Sequence, residues 1–144
     1  MMKLFMENSI FIDSNVFIAE LNENDTLHSR AKSLLERIES RNLSSITSNF
    51  VISEAITVLS QRAGKNVAVS FADFIYNKDA SIDIIAIDRE IELEGLAYLK
   101  RLKSKNVSFC DCATMAILKI YNIKNIATFD KDFHMKNARF KIMN

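Results

Sequence analysis

Proline is absent from this chain of 144 residues, and glycine occurs only twice. These residues usually mark turns and the ends of helices and strands, so boundaries must be inferred here from asparagine, aspartate, serine and the hydrophobic period. No linker, repeat or low-complexity segment stands out. With 49% hydrophobic residues to build a core and a length typical of one domain, the chain is expected to form a single domain over residues 1–144.

Cysteine is also scarce, and Cys110 and Cys112 are the only two. Their i, i+2 spacing at a predicted helix start is poorly suited to a mutual disulfide. His28 and His134 are isolated in the sequence, so neither forms the ligand pair that a zinc site would need. We therefore interpret the two cysteines as small buried thiols in a protein of a reducing compartment.

The chain has neither an excess of charge of one sign nor a long apolar run. Its formal net charge is +1 and charged residues make up 26% of it, which neither supports nor excludes nucleic acid as a partner. No segment approaches the roughly 18 to 20 apolar residues of a membrane-spanning helix, and the first residues lack the pattern of a signal peptide. The sequence predicts a soluble, cytoplasmic protein with no membrane partner.

Hydrophobic periodicity predicts strands that alternate with helices, which is typical of an α/β domain around a mostly parallel sheet. The predicted strands are Ile10–Ile12, Ser45–Ser48, Ile82–Ile87, Asn125–Phe129 and, at the end of the chain, Ala138–Met143. The predicted helices are Asn15–Leu21, a long one capped by Asp25 and ending at Ser40, Asn49–Ala63 closed by Gly64, Val67–Tyr76, one capped by Asp88 and ending near Ser104, and Ser108–Tyr121.

Acidic residues follow several of the predicted strands. Open parallel sheets bind ligands beyond the carboxyl ends of their strands, and both Asp13 and Asp130 lie at such ends. Each also has a structural interpretation, Asp13 as a helix N-cap and Asp130 as a turn residue. Asp88 also ends a strand and is best explained as a cap, so position alone does not separate these three.

Two further acids lie on helices. Glu54 has Phe50 and Val58 one turn away on either side, which predicts a carboxylate on an apolar face that needs a cation, a metal or strong donors beside it. A single internal salt bridge is the alternative. Asp111 shares its side of a helix with apolar residues, but Ser108 lies three residues before it, which is the spacing of a capping box.

A cluster of four carboxylates would need a counter-ion. Two like charges about 5 Å apart repel by roughly 3 kcal/mol at an effective dielectric constant of 20. Oxygen ligands favour hard cations, so Mg²⁺ or Mn²⁺ is the expected occupant. Such an ion can activate water and neutralise charge on a phosphoryl oxygen, which points to hydrolysis of a phosphodiester.

The order of these motifs resembles the PIN domain of metal-dependent ribonucleases, and most of all the small VapC-type toxins of toxin–antitoxin pairs. The resemblance spans nearly the whole chain and rests on four segments: Ile-Phe-Ile-Asp-Ser-Asn-Val-Phe-Ile (residues 10–18), Ser-Asn-Phe-Val-Ile-Ser-Glu-Ala (48–55), Phe-Cys-Asp-Cys-Ala (109–113) and Thr-Phe-Asp-Lys-Asp-Phe (128–133). It implies a three-layer α/β/α fold.

The resemblance also implies roles for individual residues. The acidic quartet would be Asp13, Glu54, Asp111 and Asp130, with Asp13 and Asp111 as direct metal ligands. Ser14 and Thr128 would orient ligands or water by hydrogen bonds, and Asn15 belongs to the same motif. Asp132 is left open between the metal shell and the cap of a turn.

The partners that the resemblance implies are an RNA substrate, a small antitoxin protein and a second copy of the chain in a homodimer. An RNA substrate needs cations for its phosphates, and the chain has two groups of basic residues. The first is Lys100, Arg101, Lys103 and Lys105, and the second, around the last acidic motif, is Lys131, Lys136, Arg139 and Lys141. We favour the second group as the one that faces the substrate. Two alternatives remain open: a housekeeping RNA-processing nuclease, and a phosphorylatable signalling receiver domain.

Overall fold

The structure, a computed structural model, describes residues 8–133 and 140–144. Its strands are β1 (Ser9–Ile12), β2 (Ser44–Ser48), β3 (Ile82–Ile85), β4 (Asn125–Ala127) and β5 (Lys141–Met143). Its α-helices are α1 (Ser14–Leu21), α2 (His28–Ser40), α3 (Asn49–Arg62), α4 (Lys65–Ile75), α5 (Arg89–Arg101) and α6 (Phe109–Ile120). Residues Lys131–Phe133 form a short 3-10 helix.

The five strands form one sheet in the order β3-β2-β1-β4-β5, and each of the four neighbouring pairs is parallel. The predicted parallel α/β fold is therefore confirmed. The central strand β1 is buried along its whole length, which explains why Ile10–Ile12 form an uninterrupted apolar run rather than an alternating pattern.

The helices form a layer on each face of the sheet. Right-handed crossovers from β1 to β2 and from β2 to β3 run in the same direction, so α1 to α4 share one face, while the return from β3 to β4 puts α5 and α6 on the other. Packing agrees with this arrangement, since α1 contacts α2 and α3, α3 contacts α4, and α5 contacts α6. A Cβ added at Gly95 of α5 would lie 3.3 Å from the backbone nitrogen of Ala113, so this glycine lets α5 approach α6 closely.

Several helix boundaries differ from the prediction: α4 begins at Lys65 rather than Val67, and two other differences have a local physical cause. Asp25 does not cap α2, which begins at His28; its side chain instead accepts a hydrogen bond from the backbone N–H of Leu27 at 2.8 Å, and its carbonyl accepts one from His28 at 3.0 Å. Asp25 therefore forms a turn before the helix. Helix α5 ends at Arg101, because Leu102 adopts an extended backbone conformation.

Strand ends also differ slightly from the prediction. Both β3 and β4 stop two residues early, at Ile85 and Ala127, and the start of the predicted last strand, Ala138, lies outside the described residues. Gly64 has a φ of 103° and closes α3 as predicted. No helix in residues 8–133 and 140–144 is both long and apolar enough to cross a membrane.

Candidate active site

Asp13 directly follows the central strand, and its side chain is only 3% exposed. Its Oδ1 accepts a hydrogen bond from the backbone N–H of Ser14 at 2.8 Å, and Asp13 is the N-cap of α1, as one of the two interpretations of the sequence proposed. Its Oδ2 accepts a bond from the hydroxyl of Thr128, also at 2.8 Å. The carboxylate is thus held by donors from the ends of two neighbouring strands.

Asn15 and Thr128 connect those two strand ends. The side-chain amide of Asn15 donates to Thr128 Oγ1 at 3.1 Å and lies 3.4 Å from Asp13 Oδ2, while its carbonyl oxygen accepts the backbone N–H of Phe129 at 3.0 Å. Thr128 Oγ1 also accepts the backbone N–H of Asp130 at 3.0 Å. This network fixes the segment after β4 against Asp13.

Burial dominates the acidity of Asp13 and raises its pKa from 3.8 to about 7. The hydrogen bonds from Thr128 and Ser14 oppose this shift, and the negative charges of Asp111 and Glu54 add to it. A carboxyl group in this environment is about half protonated at neutral pH unless a cation compensates its charge. The site is therefore suited to a positively charged ligand.

Glu54 lies in the middle of α3 and is exposed, so the prediction that its carboxylate lies on a buried apolar face is wrong. Phe50 and Val58, one turn away on either side, are themselves only half-buried, and this side of α3 therefore reaches the surface. The hydroxyl of Ser14 donates to Glu54 Oε2 at 3.0 Å. Glu54 is thus joined to the Asp13 segment by a hydrogen bond rather than by an ion pair.

Asp111 forms the capping box that its spacing from Ser108 suggested. Its backbone N–H donates to Ser108 Oγ at 3.1 Å, and its Oδ2 accepts the backbone N–H of Ser108 at 3.1 Å. Burial raises the pKa of Asp111, the two bonds to Ser108 lower it, and the charges of Asp130 and Glu54 raise it again. Asp111 therefore serves as a helix cap and lies within the acidic cluster at the same time.

Asp130 is half-buried, and its backbone is tied to Thr128. Its negative charge raises the pKa of Asp111, so the two carboxylates lie near each other. Asp132 lies in the short 3-10 helix, and the placement of its side chain is outside what the structure describes. Asp88 caps α5 by accepting the N–H of Ile91 at 3.0 Å, as predicted.

Cys110 is a member of the cluster that the sequence did not reveal. Its half-buried thiol is hydrogen-bonded to Glu54, and burial together with the charges of Glu54 and Asp13 raises the thiol pKa. The group is therefore a neutral thiol. Cys112 is buried and both cysteines are free, in agreement with the absence of a disulfide in the prediction, although Cys110 is less buried than predicted.

Aromatic rings flank the cluster. Phe50 on α3 and Phe109 on α6 have centroids 6.4 Å apart, and Phe109 is 37% exposed. On another side, Phe129 lies under the guanidinium of Arg30, with Cζ 5.3 Å from the ring centroid. Neither contact could be predicted from the sequence, because each pair joins segments that are far apart along the chain.

The favoured basic group is only partly placed at the site. Lys131 is exposed and directly follows Asp130, whereas Lys141 begins β5 and so lies at the amino end of the sheet, opposite the carboxyl ends where Asp13 lies. Lys136 and Arg139 lie outside the described residues. The prediction that Lys141 faces the site is wrong, because β5 runs parallel to β4 and its first residue is paired with Asn125.

A wide concavity lies elsewhere on the described part of the chain. It has a volume of about 1110 Å³ and lies between α2 and α4, with Leu35, Ile38, Phe71 and Phe74 among its lining residues. None of the four acids lines it. The four acids therefore lie apart from this concavity.

The donor set fits a hard divalent cation that keeps part of its water. Within residues 8–133 and 140–144, no three His, Cys, Asp or Glu side chains are placed to surround an ion. Mg²⁺ does not need such a cage, because it retains several waters and is commonly held by one or two carboxylates. Asp13 and Asp111, whose pKa values are raised partly by neighbouring carboxylates, have the chemistry of such ligands.

Comparison with known proteins gives a consistent result. A model of the PIN domain matches residues 10–138. The 23S rRNA-specific endonuclease VapC20 of Mycobacterium tuberculosis is 30% identical over 124 residues, which cover 86% of this chain and 91% of VapC20. The match to a PIN domain removes the support for a signalling receiver.

Solved structures show the same fold. The crystal structure of Mycobacterium tuberculosis VapC20, described as a toxin that cleaves the sarcin–ricin loop, matches with a TM-score of 0.79 at 29% identity over 88% of this chain and 93% of that one. A toxin–antitoxin complex from Klebsiella pneumoniae and FitAcB from Neisseria gonorrhoeae each match over 94% of this chain, and over 97% and 96% of their own chains, with a TM-score of 0.64. Their identities of 16% and 17% support the fold alone.

Proposed function

Because this chain belongs to the PIN-domain family, we propose that it is a divalent-metal-dependent endoribonuclease and the toxin of a toxin–antitoxin pair. The observation that carries the proposal is the buried carboxylate of Asp13, gathered with three further acids at the carboxyl edge of a parallel sheet. Ligands bind at this edge in open α/β folds.

The residues have distinct roles in the proposed reaction. Asp13 and Asp111 would hold Mg²⁺ or Mn²⁺, and the negative charges of Glu54 and Asp130 would add to the attraction for the cation. When bound, the ion lowers the pKa of a water and neutralises charge that develops on the phosphoryl group. Ser14 keeps Glu54 turned toward Asp13, because its hydroxyl donates to Glu54 Oε2.

Thr128 and Asn15 act as positioning residues. The Thr128 hydroxyl donates to Asp13 Oδ2 and leaves Oδ1 with only a backbone donor, so the carboxylate keeps one orientation. Asn15 holds Thr128 in place through its amide. Such fixed donors reduce the reorganisation that the site needs when charge changes during hydrolysis.

The proposed substrate is ribosomal RNA, because a relative that covers most of the chain is named for cleavage of 23S rRNA. The proposed partners are a small antitoxin protein and a second copy of the chain. The structural relative at 29% identity is described as a toxin, which favours the toxin over a housekeeping nuclease.

The test is cleavage of total ribosomal RNA by the purified chain in Mg²⁺ or Mn²⁺, with EDTA as the metal-free control. Cleavage at discrete positions is expected with metal and none with EDTA. No cleavage under any divalent metal would refute the proposed activity. Growth arrest on induced expression, relieved by a protein encoded next to the gene, distinguishes a toxin from a housekeeping nuclease, which requires no such neighbour.

A further inference from the structure

Arg30 lies in the first turn of α2 and places its guanidinium over the ring of Phe129, 5.3 Å from the centroid. Phe129 stands between Thr128, which hydrogen-bonds Asp13, and Asp130. The arginine therefore reaches the edge of the sheet at which the acidic cluster lies. Neither basic group singled out from the sequence contains Arg30.

The ring that supports Arg30 is itself fixed by the site. The backbone N–H of Phe129 donates to Asn15 Oδ1 at 3.0 Å, and the Asn15 amide binds Thr128. Stacking of a guanidinium on an aromatic face is attractive and restricts the side chain. Arg30 is thus oriented by the same hydrogen-bond network that orients Asp13.

The donors of Arg30 remain available for a ligand. Arg30 is exposed, and within residues 8–133 and 140–144 its guanidinium takes part in no ion pair or side-chain hydrogen bond. By contrast, Arg37 on the same helix donates to the carbonyl of Asn144 at 2.8 Å. An oriented arginine whose five N–H donors are not committed to protein acceptors is suited to a phosphate, which it can bind through two parallel hydrogen bonds.

The charge of Arg30 can offset the repulsion between RNA and the acidic cluster. RNA is an anion, and four carboxylates at the edge of the sheet repel it except where a metal ion compensates their charge. We propose that Arg30 binds a backbone phosphate of the RNA beside the one that is cleaved, and so sets the position of the strand across the acidic cluster. This inference rests on the proposed ribonuclease function and adds a substrate-binding residue to it.

The experiment measures RNA binding without cleavage. In an Asp13→Asn background, fluorescence anisotropy with a fluorescein-labelled RNA hairpin of the sarcin–ricin loop sequence gives the affinity at a series of salt concentrations. Adding Arg30→Ala is expected to weaken binding about 5- to 30-fold and to reduce the slope of log affinity against log salt by roughly 0.7 to 0.9, the value for one lost phosphate contact.

Two variants separate a charge effect from a structural one. Arg30→Lys keeps the charge and is expected to preserve the salt slope with a smaller loss of affinity. Lys32→Ala removes an exposed cation two residues along the same helix, pointing away from Arg30, and is expected to leave both quantities unchanged. Should Arg30→Ala fail to fold, Arg30→Gln keeps the side-chain length and supplies the same comparison.

Failure of the Arg30 inference can be distinguished from failure of the proposed ribonuclease function. If the wild-type chain cleaves RNA but Arg30→Ala binds the hairpin with unchanged affinity and salt slope, the inference is overturned while the activity stands. The same holds if Arg30→Ala only lowers the melting temperature. If the wild-type chain cleaves no RNA in any divalent metal, the proposed function fails first.

Discussion

Asp13 and Asp88 have nearly the same local sequence context and very different surroundings. Each follows a strand, and each caps the helix that begins after it. Asp88 is exposed and accepts the backbone N–H of Ile91. Asp13 is buried, accepts bonds from Ser14 and Thr128, and has its pKa raised to about 7.

The difference comes from the position of each strand in the sheet. Asp13 follows β1, which has β2 and β4 on either side, so the segments after three adjacent strands meet around it. Asp88 follows β3, which is an edge strand with β2 as its neighbour. Local sequence specifies a helix cap in both cases, and only the order of the strands brings one of them into the candidate site.

Replacing Asp13 and Asp88 in turn tests this comparison, and it is the test with the largest expected effect. Asp13→Asn keeps the size and the capping ability of the side chain but removes a proposed metal ligand, and we expect RNA cleavage to fall at least about 10³-fold. Asp88→Asn should leave cleavage within about twofold of wild type. Circular dichroism checks that both fold. Equal loss of activity in both variants would remove the distinction between them.

The second test uses pH. A folded-state pKa of about 7 against 3.8 in the unfolded chain means that Asp13 binds its proton more tightly in the folded state, so its contribution to stability is complete below pH 4 and is lost as pH rises to about 7. For the metal-free protein, Asp13 should reduce the free energy of unfolding by roughly 3 kcal/mol between pH 5 and pH 8. Urea unfolding in EDTA measures this.

The same pH series on two variants supplies the controls. Asp13→Asn cannot titrate and should lose most of this pH dependence, whereas Asp88→Asn should retain it. An identical decline in Asp13→Asn and wild type would show that another group is responsible.

Metal addition is the third test. At a concentration 100 times the dissociation constant, a ligand that binds only the folded state stabilises it by about 2.7 kcal/mol. Mn²⁺ should therefore raise the melting temperature of the wild type and of Asp88→Asn, and much less that of Asp13→Asn. If Asp13→Asn is stabilised as strongly as the wild type, the ion binds elsewhere.

The smallest expected effect concerns the cap that holds Asp111. Ser108→Ala removes the hydroxyl that accepts the Asp111 N–H but leaves the bond from the Ser108 backbone to the carboxylate. We expect a loss of about 1 kcal/mol in stability and less than tenfold in cleavage. Asp88→Ala should lower stability by a similar amount with no change in cleavage. If Asp88→Ala reduced cleavage and Ser108→Ala did not, a role of the Ser108 cap at the site would be contradicted.

Sequence reasoning reached the fold because the signals were local. The apolar run before Asp13, the capping box at Ser108 and the cap at Asp88 each depend on residues within a few positions of one another. Gly64 was also a correct local signal, since it ends α3 with a positive φ. Asp25 failed as a cap because a turn with the same hydrogen-bonding groups competes with the helix start.

The arrangement of the candidate site could be predicted only in part from the sequence. Glu54 was singled out because its neighbours on the helix are apolar. The helix face that it shares with them reaches the surface, so the prediction of a buried carboxylate was wrong. The residue nevertheless lies beside Ser14, whose hydroxyl donates to it. Arg30 and Cys110 gave no signal at all. Arg30 is placed by Phe129 and Cys110 by Glu54, and neither contact follows from spacing along the chain.

The central claim is that Asp13 and Asp111 share one divalent cation at the carboxyl edge of the sheet. Anomalous diffraction from a crystal soaked in Mn²⁺ tests it most directly, because the metal is located independently of any assay. The account predicts a single strong peak between the two carboxylates in the wild type and its loss in Asp13→Asn. A peak at another position, or an unchanged peak in Asp13→Asn, would contradict it.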